Sequence, residues 1–178
     1  MNEDTVMELA EGLGRLLLER GMLSATAESC TGGGIAAAIT EIAGSSAWFD
    51  RGFVTYSNEA KMEMLGVSPE TLRDFGAVSE ETAREMALGA LARSRAGAAV
   101  SVTGIAGPAG AVPGKPVGTV CFGFAVRGAG GGEPQVVTET RHFSGGRRDV
   151  RLATQAAALR GLAEAVSGLR VLPQGKIS

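Results

Sequence analysis

The segment Ala27–Gly34, A-E-S-C-T-G-G-G, constrains the fold of this chain more than any other stretch. It joins a short strand candidate, Ser24–Ala27, entered from a break at Gly21, to the apolar helical run I-A-A-A-I-T-E-I-A. A strand that passes into a helix across a tight turn is a building unit of α/β sheets. The same turn carries three adjacent candidate nucleophiles, Ser29, Cys30 and Thr31. Gly32, Gly33 and Gly34 let a ligand approach the backbone closely, where a Cβ would obstruct it. Free N–H groups at the start of the following helix favour a phosphate or an oxyanion.

The flanking sequence supplies the rest of an alternating pattern. Val6, Leu9, Leu13, Leu16 and Leu17 share one helical face, and Gly21 is a plausible stop. The helix after the glycine turn ends near Gly44, and Phe49–Tyr56 reads as a second strand. Ser57 and Asn58 are cap types for a short helix through Leu65. Ser79 with Thr82, followed by Glu80 and Glu81 in the first turn, opens a longer helix to about Arg95. Ala98–Thr103 has the pattern of a buried strand, and a proline- and glycine-rich loop, Gly104–Pro116, follows it. Val117–Val126 and Gln135–Phe143 form a hairpin across the tip Gly128–Gly132, so at least one strand runs antiparallel. A last helix covers about Gly146 to Val166. The alternation predicts an α/β domain whose sheet is mainly parallel with helices on both faces. A single domain is expected over residues 1–170, with a short polar tail at 171–178.

Composition narrows the function classes. At 178 residues the chain is long enough for one substantial core. A formal net charge of −2 and few aromatics leave no footprint for nucleic acid. No apolar run approaches the ~20 residues of a membrane span, and the N-terminus lacks the basic start and apolar core of a signal peptide. Cys30 and Cys121 make no metal-type spacing, so a reduced, cytoplasmic setting without a metal is expected.

For the turn chemistry, alternation at the strand end places Ser29 and Thr31 on one side and Cys30 on the other. Two hydroxyls beside three glycines favour that first side as the ligand face. A hydroxyl nucleophile needs a base. His142 is the only histidine, and the lysines are Lys61, Lys115 and Lys176. Of these, Lys61 sits in the first turn of the helix after T-Y-S-N-E-A-K, where burial would lower its pKa enough for base work. Thr103–Gly110, T-G-I-A-G-P-A-G, ends another strand and shares a crevice with the first turn if both strands are parallel. Neither a Walker A loop nor a G-x-G-x-x-G fingerprint is present.

E-S-C-T-G-G at Glu28–Gly33, V-T-Y-S-N-E-A-K through Lys61, L-G-V at Leu65–Val67, and T-G-I-A-G-P followed by K-P-V-G-T-V occur in order. In these motifs, from about Met7 to Leu162, the chain resembles the CinA C-terminal domain family of nicotinamide-nucleotide amidases. It departs from the family pattern at Ala109–Ala111 and at Arg51. The resemblance implies a three-layer α/β/α fold with a five-stranded mixed sheet, in a stand-alone form without an additional N-terminal domain. It implies hydrolysis of the amide of nicotinamide mononucleotide to nicotinate mononucleotide and ammonia, as in pyridine nucleotide salvage, with no cofactor and commonly as a homo-oligomer. Carried over by motif, Ser29 resembles the nucleophile, Lys61 its general base and Tyr56 a supporting proton donor. Thr31, Gly32 and Gly33 fit the oxyanion and substrate cradle, and Thr103 and Gly104 the opposite wall. Arg147 and Arg148 are both available for the substrate phosphate. A non-catalytic nucleotide-binding module is the competing reading.

Overall fold

The computed structural model describes residues 1–128 and 130–168. The expected tail at 171–178 lies outside them. In chain order the elements are α1 (Glu3–Glu19), β1 (Ser24–Glu28), α2 (Gly34–Thr40), a 3₁₀ turn (Ser45–Ala47), β2 (Phe49–Val54), α3 (Asn58–Leu65), α4 (Pro69–Phe75), α5 (Glu80–Ala92), β3 (Ala98–Gly104), β4 (Thr119–Val126), β5 (Gln135–His142) and α6 (Arg147–Val166). Two short elements were not anticipated from the pattern, the 3₁₀ turn and α4. α4 is announced by Ser68 at its N-cap and Pro69 inside its first turn, but exposes Phe75 and buries no side chain fully, so it lacks an apolar stripe.

The five strands form one sheet in the order β2-β1-β3-β4-β5. β1 pairs in parallel with both β2 and β3, while β4 pairs antiparallel with β3 and with β5. Four strands therefore share one direction and β4 alone opposes them, which is the mixed sheet the hairpin requires. Residues of β1, β3 and β4 are almost wholly buried because helices cover both faces. Leu13, Leu17, Ile39, Phe122 and Leu159 belong to the core on the α1–α2–α6 side. Leu65, Met86, Leu91 and Val136 belong to the core on the α3–α5 side. Among the described residues no helix is long and apolar enough to cross a membrane.

The layer that matters most for the site is α3, because it carries Lys61. Ser57 caps it by accepting from the Ala60 amide (3.0 Å). It ends at Gly66, whose φ of 70° is available to glycine, with Gly66 N–H bonded to Met62 and Val67 N–H to Lys61. α3 then rests on α5 at Gly89, where a Cβ would overlap the Leu65 carbonyl. The Arg93 guanidinium donates to that same carbonyl at 3.1 Å. Gly89→Ala is expected to lower unfolding stability by about 1–3 kcal/mol and to lower activity by displacing α3; denaturant melts beside activity assays check both.

Candidate active site

Parallel pairing brings the carboxyl ends of β1 and β3 side by side, and the chain leaves each in a turn. Ser29 is the first residue beyond β1, and its amide still bonds the Val102 carbonyl of β3 (3.0 Å). Its side chain faces α3. Lys61 Nζ lies 3.1 Å from Ser29 Oγ and donates to the Thr55 carbonyl at 2.9 Å. The lysine is 1 % exposed, and none of the ion pairs among the described residues involves it. Burial without a carboxylate partner holds its amine below the ordinary lysine range.

Ser29 and Lys61 open onto a cleft of about 240 Å³ that Tyr56, Asn58, Thr103, Gly104 and Arg147 also line. Tyr56 is 64 % exposed at its rim, and its hydroxyl accepts from Arg147 Nη2 (3.1 Å). Arg147 Nη1 bonds the Gly107 carbonyl (2.8 Å), so one guanidinium ties the loop after β3 to the segment that joins β2 to α3. Arg148 points elsewhere, to Glu3 on the surface. Thr103 is buried and donates its hydroxyl to the Ala77 carbonyl (2.8 Å), which makes it a wall of the cleft with its proton already committed.

Thr31, Gly32 and Gly33 are not among the cleft's lining residues. The Thr31 hydroxyl donates to Glu28 Oε1 at 2.6 Å, and the amides of Ile35 and Ala36 donate to the two oxygens of the same carboxylate at 2.8 and 2.9 Å. Glu28, fully buried, thus occupies the start of α2 with the chain's own anion. The helix start expected to receive a ligand is therefore filled. Strand alternation also fails beyond Glu28, because β1 ends there and the following residues turn, with Gly32 and Gly33 at φ of 59° and 98°. Ser29 and Cys30 consequently share the cleft while Thr31 turns inward.

Cys30 is buried, and burial pushes its thiol up to about 12, so it is a protonated thiol at neutral pH. His142 lies on β5 by another cleft, with Cys121, Lys115 and Glu80, and shares no lining with Ser29. Cys30 and His142 therefore line different clefts and do not form a nucleophile–base pair. Among the described residues no three His, Cys, Asp or Glu side chains converge in a way that could hold a metal ion. Sequence reasoning missed the part played by Glu28. An acid at the end of a strand, seven residues before the first amide of the next helix that it binds, was its only signal.

Comparison with known proteins places this geometry in a family. The CinA C-terminal domain model matches residues 6–166. The nicotinamide-nucleotide amidohydrolase PncC of Escherichia coli (strain K12) is 55 % identical over 163 residues, 91 % of this chain and 95 % of that protein. The crystal structure of competence/damage inducible protein CihA from Agrobacterium tumefaciens superposes with a TM-score of 0.83 at 52 % identity, covering 92 % of this chain and 96 % of that one. The competence damage-inducible protein A (ComA) of Klebsiella pneumoniae gives a TM-score of 0.86 at 40 % identity, with 93 % and 99 % coverage. This chain belongs to the CinA C-terminal domain family.

Proposed function

We propose that the protein hydrolyses the carboxamide of nicotinamide mononucleotide to nicotinate mononucleotide and ammonia, using Ser29 as nucleophile and Lys61 as base. The observation that carries this reading is the buried contact of 3.1 Å between Lys61 Nζ and Ser29 Oγ. The similarity to the amidohydrolase of E. coli supports the substrate. A module that only bound nucleotide would have no use for a lysine buried against a serine at the cost of its hydration.

In the first half-reaction the neutral Lys61 amine takes the Ser29 proton as Oγ bonds to the amide carbon. The Thr55 carbonyl keeps the amine oriented throughout. The carbonyl oxygen becomes an oxyanion and needs donors. Inside the turn, the Gly32 and Gly34 amides are spent on the carbonyls of Ser29 and Thr31; of the two turn residues that line the cleft, Ser29 has its amide on Val102, which leaves the Cys30 amide for this task. The lysine then gives its proton to the departing nitrogen, which leaves as ammonia, and an acyl-serine remains. Water attacks that ester in the second half-reaction, its proton passing to Lys61 and then back to Ser29 Oγ. Arg147 is the cleft's cation for the substrate phosphate. Because Tyr56 Oη accepts from Arg147, its own proton is free to donate to substrate.

Ser29→Ala and Lys61→Met are each expected to lower kcat for ammonia release at least about 10³-fold, and the double variant no further, since the two side chains act as one unit. Ammonia assays on the three proteins test this; substantial turnover in Ser29→Ala would sink the assignment. The lysine must be neutral to accept the proton, so kcat/KM should rise with pH along an acid limb. That limb should lie below the ordinary lysine value, in the direction to which burial shifts Lys61. A rate profile between pH 5 and 10 would show it.

A further inference from the structure

The nucleophile turn is also gripped from behind, by a guanidinium that lines no part of the Ser29 cleft. Arg151 lies half-buried on α6. It donates from Nε to the Cys30 carbonyl (3.2 Å) and from Nη2 to the Thr31 carbonyl (3.1 Å). Two consecutive peptide units are thereby fixed by one rigid fork. Lysine, with a single point charge, does not reproduce that geometry.

The consequence follows from peptide planarity. The Cys30 carbonyl and the Thr31 N–H belong to one trans unit and point in opposite directions. With the carbonyl bound to Arg151, the Thr31 N–H is held pointing away from α6. A charge-assisted bond to the carbonyl also polarises the unit and makes its N–H a stronger donor. The next unit, the Thr31 carbonyl with the Gly32 N–H, is fixed at both ends, because Gly32 N–H bonds the Ser29 carbonyl at 3.0 Å. Glu28 clamps the same turn from the opposite charge, through the Thr31 hydroxyl.

We infer that Arg151 is a positioning residue for amide hydrolysis. It sets the direction and polarity of the peptide units behind Ser29, and so holds the turn that carries the nucleophile and the Cys30 amide in place against the cleft. It does not touch substrate. This inference rests on the reading of Ser29 as nucleophile.

The test uses the full chain as wild type, Arg151→Met, Arg151→Lys and Ser29→Ala. Ammonia release from nicotinamide mononucleotide is measured beside amide hydrogen exchange of the peptides covering residues 24–36 and 147–166. Arg151→Met should lower kcat about 100-fold with KM changed less than about twofold, the cost of a small misplacement of catalytic groups. Exchange in the turn should rise while that of α6 stays protected, and Arg151→Lys should recover part of kcat, about tenfold. Wild-type kcat in Arg151→Met would overturn the inference, as would unchanged exchange in the turn. So would a fall in kcat accompanied by loss of α6 protection, which would make Arg151 merely structural; if the Met variant does not fold, the Lys variant alone decides by the same readouts. Turnover retained in Ser29→Ala would instead remove the nucleophile assignment, and the exchange data would still judge the clamp.

Discussion

A lysine amine held almost out of water, with a serine hydroxyl and a backbone carbonyl as its hydrogen-bond partners, is the constraint on which this structure turns. Removing an ammonium from water costs several kcal/mol unless it is paired or loses its proton. No ion pair among the described residues relieves Lys61, so its protonated form is disfavoured. The same burial that lowers the pKa of the amine therefore charges the fold for it. The cost is absent above the ordinary lysine pKa, grows as pH falls toward the lowered folded value, and is complete below it. The surrounding architecture is what sustains that cost. α3 is capped at Ser57, closed at Gly66 and seated on α5 through Gly89 and Arg93.

The serine is held by a different device. The turn after β1 lies between an anion and a cation supplied by the chain itself: Glu28 at the start of α2, and Arg151 reaching from α6. Filling the helix start with Glu28 means that the positive end of α2 stabilises the turn and is not presented to a ligand. In the proposed function, substrate recognition therefore falls to the opposite wall, where Arg147 joins the loop after β3 to Tyr56. The two proposed roles, recognition and positioning, fall on two guanidiniums one helical turn apart on α6.

Much of the fold was legible because its long elements carry regular signals. The apolar stripe of α1, the largely apolar, buried runs of β3 and β4, the glycine-rich hairpin tip and the serine caps of α3 and α5 each fix an element by local physics. α4 and the 3₁₀ turn escaped because short elements are set by tertiary contacts and lack periodicity. In the site, Ser29 and Lys61 could be named from residue type and from the family motif. The inward turn of Thr31 could not, since it depends on where β1 stops pairing, one residue beyond the end that the sequence suggests. The choice of Arg147 over Arg148 likewise rests on which side of α6 faces the cleft.

The protonation state of Lys61 in the folded protein can be measured directly. The chain has three lysines, Lys61, Lys115 and Lys176. Lysine labelled with ¹³C at Cε gives one resonance for each, assignable with Lys61→Arg, and each can be followed through a pH titration. The Lys61 resonance is expected to titrate below the ordinary lysine value of about 10.4. Titration of Lys61 at or above that value would rule it out as the base, because a fully charged amine could not take the proton of Ser29.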